Sequence, residues 1–236
     1  MYNLLIALVA FMPGHDMGLA IISITIVIRL ILHPFTVSAF RSQRLMQRIQ
    51  PKMNELKAKH KDDKPAFNQA VMELYKEHKV SPFSSCLPLL LQLPILIGLY
   101  QALTAGLQSI DLSKLYHFTP HPATISPIAF GFLHLNEKNL VLALLAGAAQ
   151  FWQTRMLQTP KPPIHTTGSK DEEVAAMMNK QMLYVMPLVT VFIGYKLNAG
   201  LALYWFVGTL LTVLQQWYIF RNLDRELAAK DLEKVV

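Results

Sequence analysis

Cysteine is all but absent: Cys86 stands alone among 236 residues. That excludes an intrachain disulfide, and within an apolar run it reads as a small buried hydrophobe. Charge is also scarce, at 16% Asp, Glu, Lys and Arg against 53% hydrophobic residues, with a mean hydropathy of +0.31. Such a balance belongs to a chain whose solvent is lipid. No glycine-rich nucleotide loop is present to point to nucleotide-driven work. No internal repeat or inverted pair of broken helices stands out, which argues against a secondary transporter. His117 and His121 sit four apart, but Pro120 and Pro122 break the helix that would align them as metal ligands. The apolar start, 1–12, has no Lys or Arg before Arg29 to form a signal n-region, is too short to span and ends at Pro13 and Gly14. It reads as a helix lying in the membrane interface, with an uncleaved signal-like segment as the alternative.

What is present is five apolar stretches approaching the roughly 20 residues that cross a bilayer: 18–36, 86–107, 139–157, 181–197 and 199–220. Lys196, Leu197, Asn198, Ala199 and Gly200 join the last two, which predicts an antiparallel pair. Residues 41–81 are polar, with Leu45, Ile49, Met53 and Leu56 at helical spacing, then a break at 61–65, then Phe67, Val71, Leu74 and Tyr75. Two amphipathic helices of this kind zip into an antiparallel hairpin projecting into water, suited to a docking arm. The proline-bearing segments 110–137 and 159–178 read as connections, and 221–236 as a polar tail. The fold class expected is all-α and polytopic, with five transmembrane helices and a cytoplasmic helical hairpin.

Segments 41–81, 155–180 and 221–236 hold 18 of the 22 Lys and Arg against 12 of the 15 Asp and Glu. On the opposite side Lys114, Lys138 and Lys196 balance Asp16, Asp111 and Glu137. The positive-inside rule then places the hairpin and C-terminus in the cytoplasm and the N-terminus outside. Topology accounts for the net +7, and specific nucleic-acid binding is not needed to explain it.

Arg29 is the charge that stands out. It lies about 16 Å of helix beyond Gly18, deep in the first stretch, where charges face protein or water rather than lipid. None of the five stretches contains Asp or Glu, so Arg29 has no intramembrane counter-ion and has to be solvated. The rival reading is snorkelling to lipid phosphates, because His33 and Pro34 mark a nearby helix end. Thr25 lies one turn before Arg29 on the same face. Gln92, Gln150 and a stripe of Trp205, Thr209 and Thr212 supply polar groups on other spans. If these faces converge they line a hydrated cavity. With no general base, nucleophile or metal cluster, such a cavity suits transient attraction of a polar segment better than catalysis.

Three ordered motifs carry a family resemblance over essentially the whole chain. Gly18-Leu-Ala-Ile-Ile leads to Ile28-Arg29-Leu30 and Pro34, Cys86-Leu-Pro-Leu-Leu-Leu-Gln-Leu-Pro94 opens the second span, and Gly200-Leu-Ala-Leu-Tyr-Trp205 opens the fifth. Together they resemble the YidC-type membrane protein insertases of the YidC/Oxa superfamily. The resemblance implies an insertase and chaperone without a covalent reaction or cofactor, in the bacterial plasma membrane. Its five helices would enclose a hydrophilic groove open to cytoplasm and lipid and closed to the outside. It implies that Arg29, Thr25, Gln92, Gln150 and Trp205, with Tyr204 in the same motif, line that groove. The second and fourth spans would form a greasy slide for incoming segments.

The implied partners are nascent membrane proteins and the lipid bilayer, with Sec translocon and ribosome as further partners of a chain active as a monomer. Two features depart from the pattern. No large extracytoplasmic domain stands before Gly18, unlike Gram-negative versions. The tail balances Arg221, Arg225, Lys230 and Lys234 with Asp224, Glu226, Asp231 and Glu233, unlike the long basic extension by which some members hold ribosomes. The competing functions are an anion-selective channel or transporter using Arg29 as its selectivity charge, which predicts anion flux, and a scaffold for other membrane subunits.

Overall fold

The computed structural model describes residues 1–60, 63–78, 80–81, 87–108, 113, 115–120, 122, 124–158 and 170–233. Cys86, His121 and most of the expected 159–178 connection lie outside the described residues. The order is α1 (Tyr2–Phe11), a 3-10 turn (Pro13–His15), α2 (Met17–Ile31), α3 (His33–Lys59), α4 (Lys64–Glu77), α5 (Leu87–Gln108), β1 (Ile128–Ala129), β2 (Leu133–His134), α6 (Leu140–Leu157), α7 (Lys170–Lys196) and α8 (Ala199–Glu233). Among the described residues, α6 and the 199–229 part of α8 are long and apolar enough to cross a membrane. The α2–α3 pair adds a third span if its bend is counted as one crossing.

Asp16 starts α2 as an N-cap, its carboxylate accepting from Gly18 N at 2.7 Å and Leu19 N at 3.1 Å. The first expected span, 18–36, is shorter in the structure: α2 ends at Ile31 and the chain bends by 67° before α3 begins at His33. Pro34 is the physical cause, because it has no N–H to give and its ring crowds the carbonyl of Leu30. The helical arm therefore starts at His33 rather than at residue 41.

In that arm α3 and α4 run antiparallel around Ile49, Leu74 and Val80, with Leu45, Met53, Leu56 and Tyr75 packed beside them. The Tyr75 hydroxyl donates to Met53 Sδ at 3.5 Å. Phe67 and Val71 are only partly buried and stand outside this seam.

Two further boundaries and one helix pairing differ from expectation. Helix α7 begins at Lys170, inside the stretch expected to be a connection. Asp171, Glu172 and Glu173 favour a helix N-terminus, and Ala175, Ala176, Met177 and Met178 are strong helix formers. Helix α8 continues without a break to Glu233, so most of the expected tail is the same rod. The tight partner of α7 is α6, not α8 as the short connection predicted. Ala143 and Gly147 on α6 meet Gly194, Val191 and the Pro187 carbonyl on α7, and these small residues let the two backbones approach.

The main core gathers Leu5, Val9, Met17, Ile21, Ile24, Leu99, Leu103, Leu135, Ala202 and Tyr204 at one end of the bundle. Helix α1, expected to lie on the membrane interface, places Leu5 and Val9 in this core, with Ile6 also completely buried, while Leu4 and Phe11 on its other side are exposed. Asn3 Oδ1 ties it to the 110–137 connection by accepting from Tyr116 N at 2.7 Å and Thr119 Oγ1 at 3.0 Å.

Candidate functional site

The end of the bundle beside α1 is closed by backbone. Asp16 caps α2 with one carboxylate oxygen and with the other accepts from Phe130 N at 2.7 Å. Phe130 sits at φ 56° and Gly131 at φ 78°, so the turn between β1 and β2 holds a bulky residue in the left-handed region. The Asp16 carboxylate holds that strained amide in place. Ala129 presses so close to Gly18 that no side chain fits at residue 18. The first amides of α8 are also covered: Ala199 N donates to Glu137 O at 2.6 Å, Gly200 N to Leu135 O at 3.1 Å, and Leu201 N to Asn198 Oδ1 at 3.1 Å.

Beyond Ile24 and Tyr204 the apolar core gives way to polar groups. Arg29 is in the last turn of α2, where the helix dipole favours a cation, rather than midway along a long helix. Its Nη2 reaches across to α8 and donates to the Gly208 carbonyl at 2.9 Å. The contact uses the backbone of Gly208 rather than its lack of a side chain: a Cβ there would stand in ordinary contact, 3.5 Å from Arg29 Nη2 and 3.8 Å from Thr25 Cγ2. The same carbonyl accepts from Thr212 Oγ1 at 2.7 Å. Thr25 is buried, with its hydroxyl turned back to the Ile21 carbonyl at 2.6 Å.

A guanidinium carries five N–H donors. Among the described residues one hydrogen bond and no carboxylate serve Arg29. The rest are left to water or a ligand.

Tyr204, one turn before Gly208, brings in a third helix, because Gln92 Nε2 on α5 donates to its hydroxyl at 2.7 Å. Arg29, Thr25, Gln92 and Tyr204 therefore form one set across α2, α5 and α8. Gln150 and Trp205 are partly exposed, and neither side chain makes a hydrogen bond among the described residues. Among the described residues no hydrogen bond joins them to the Arg29–Gly208 or Gln92–Tyr204 pairs.

Sequence reasoning missed two residues of this face. Gly208 was passed over because a carbonyl partner leaves no side-chain signature. Gln216 continues the stripe of Thr209 and Thr212 by one more turn. It is completely buried, yet neither its amide nitrogen nor its oxygen has a partner among the described residues. Gln43 Oε1 and Gln215 Oε1 are in the same condition. Buried polar atoms of this kind call for water. The polar face of α8 from Tyr204 to Gln216 thus runs for about 18 Å.

Apolar surface flanks this face. On α7 Leu188 and Phe192 are exposed at 69% and 64%, and on α5 Leu90 and Ile97 at 60% and 56%. At the far end the α3 arm is strapped to α8. Arg44 donates to Asp224 from Nε at 3.1 Å and Nη2 at 2.7 Å, and Gln47 Nε2 donates to the terminal α6 carbonyls of Met156 and Leu157.

A family model described as "60Kd inner membrane protein" matches residues 8–226. The chain is 38% identical over 217 residues to the membrane protein insertase YidC of Alkalilimnicola ehrlichii, an overlap covering 90% of this chain and 33% of that protein. It is 35% identical over 211 residues to the membrane protein insertase YidC of Neisseria gonorrhoeae, covering 89% of this chain and 34% of that protein. With the membrane protein insertase YidC of Fusobacterium nucleatum the identity is 34% over 227 residues, covering 94% of this chain and 97% of that protein. The chain spans about a third of the length of the first of these relatives and nearly all of the Fusobacterium protein.

Proposed function

Because the chain belongs to the 60Kd inner membrane protein family, we propose that it is a membrane protein insertase and chaperone. It receives hydrophobic segments of newly made proteins in a hydrated groove and releases them into the bilayer. Five spans, α2, α5, α6, α7 and the first part of α8, surround the groove in the bacterial plasma membrane, with the N-terminus outside and the C-terminus inside. The observation that carries this reading is Arg29, a charge without a carboxylate, served by the single Gly208 carbonyl among the described residues and followed by the unpartnered amide of Gln216.

The physical advantage of such a groove follows from the cost of dry passage. Each unsatisfied backbone group in hydrocarbon costs several kcal/mol, so water brought partway from the cytoplasm shortens the dry path for a polar tail. Arg29 attracts acidic groups of that tail. The adjoining apolar segment meanwhile moves along the exposed faces of α5 and α7 into lipid, driven by apolar burial. Asp16, Ala129, Leu135 and Glu137 close the outer end, which supports a one-sided groove over an anion-selective channel. Nascent membrane proteins and lipid are the direct partners of a monomer. Trp205 and Gln150 complete the groove wall, and the α3–α4 arm serves as its cytoplasmic docking element for translocon or ribosome.

Photocrosslinkers placed at Gln92, Phe192 and Trp205 should form adducts with a stalled single-span client in native membranes. Adducts confined to α4 would sink the groove. Anion flux through liposomes holding the purified chain would favour the channel instead.

A further inference from the structure

The cytoplasm-facing end of α8 carries a feature that the groove does not use. An open cavity of about 560 Å³ lies between α3, the end of α6 and α8, lined by Arg44, Arg221, Arg225, Asp224 and the apolar Met156, Trp217 and Phe220 among others. Its arginines are not equivalent. Arg44 is fully engaged, with Asp224 on Nε and Nη2, Gln47 on Nη1 at 2.8 Å and the Phe220 ring 5.2 Å from its Cζ. Asp224 is likewise taken up, with Arg48 as a second partner at 3.6 Å. Arg221 and Arg225 have no carboxylate partner among the described residues. Arg221 lies over the Trp217 ring at 5.3 Å.

Trp217, Arg221 and Arg225 follow one another at intervals of four and so form a single ridge. Two like charges four apart on a helix repel, and an anion between them relieves that repulsion. Depth in the membrane selects the anion. From Ala199 to Phe220 the helix rises about 32 Å, close to the roughly 30 Å of bilayer hydrocarbon. The exposed Trp217 and Tyr218 stand where an aromatic belt is expected. Arg221 and Arg225 follow at headgroup level, with the apolar Met156, Trp217 and Phe220 on the hydrocarbon side.

We propose that this cavity binds an anionic phospholipid, its phosphodiester held by Arg221 and Arg225 and the upper part of its acyl chains against Trp217, Phe220 and Met156. The lipid fills the space between the root of the α3 arm and α8 and supplies the counter-charge that the protein withholds. The site requires α8 to cross the membrane but is independent of the insertase reading.

The test uses the full chain with Trp152→Phe and Trp205→Phe, leaving Trp217 as the reporter, in nanodiscs containing a fixed fraction of acyl-brominated phosphatidylglycerol or phosphatidylcholine. Two arginines predict enrichment of phosphatidylglycerol over phosphatidylcholine at Trp217 on the order of tenfold, read as preferential quenching. Arg221→Gln with Arg225→Gln should bring the two lipids level. An unchanged melting transition shows that the variant is folded, and loss of that transition moves the comparison to the single Arg225→Gln variant, where partial loss of preference is expected. Equal quenching by both lipids in the parent chain overturns the site, and quenching by neither overturns the placement of α8 as well. Erasure of the preference by millimolar inorganic phosphate would make it a free-anion site, and erasure by an oligouridylate would make it a nucleic-acid site. Either result overturns the lipid assignment.

Discussion

Arg29 combines two properties seldom found together, a charge set among apolar helices and a single hydrogen-bond partner among the described residues. If its role is attraction of an acidic tail, Arg29→Ala should lower insertion of acidic-tailed clients by about tenfold or more, the worth of one charge-assisted hydrogen bond. Arg29→Lys should keep most of the activity, and protease protection of the translocated tail reads both variants. Gln216 separates function from stability. Replacing an unpartnered buried amide by an apolar residue of similar size is neutral or stabilising. Gln216→Leu should therefore leave the melting temperature unchanged or raised, and under the proposed groove client insertion should fall, because a polar group able to hold water is removed. Gly18→Ala addresses the closed end, where a methyl would meet Ala129. It should destabilise the chain by about 1–3 kcal/mol, the usual cost of overpacking, seen as a lower melting temperature in detergent.

Between elements, close approach decides the pairing. Helices α6 and α7 meet through Ala143 and Gly147 against Val191 and Gly194, so their contact depends on residues that lack bulk. Gly147→Ala should lower the melting temperature, and Val191→Ala in the same chain should restore much of the loss because the added methyl then has room. The α3 arm is held differently, by the Arg44–Asp224 pair over Phe220, with each side chain about a third exposed. Asp224→Asn should loosen the arm with little effect on global unfolding, since a partly exposed ion pair contributes about 1 kcal/mol or less. Faster hydrogen exchange in α3, with α6 unchanged, is the expected signature. The bend at Leu32 gives this strap its purpose: it turns the arm away from α2, and side-chain contacts to α6 and α8 help fix its direction.

Over the whole molecule the two ends of the bundle differ in kind. One is apolar and sealed by Asp16, Ala129 and the capped start of α8. The other is polar, with buried amide atoms that have no partner among the described residues. The one-sided groove proposed above predicts that, in a Cys86→Ser background, a cysteine at the partly exposed Gln150 reacts with membrane-impermeant maleimide from the cytoplasmic face alone.

Hydropathy, charge distribution and the isolated arginine were legible in the linear chain because each is a property of composition along one axis. Apolar runs of sufficient length, a basic excess on alternate connections and the lack of acids in the runs point to a membrane bundle, with Arg29 as its candidate site. Tertiary structure alone decided three matters: that α7 packs on α6 although it is joined to α8, that one face of α1 packs into the core, and that a glycine carbonyl meets Arg29. Helix pairing is set by which small residues allow backbones to touch, and a carbonyl acceptor belongs to the backbone of every residue alike. Neither leaves a mark in the spacing of side chains, so both appear only when the helices are brought together.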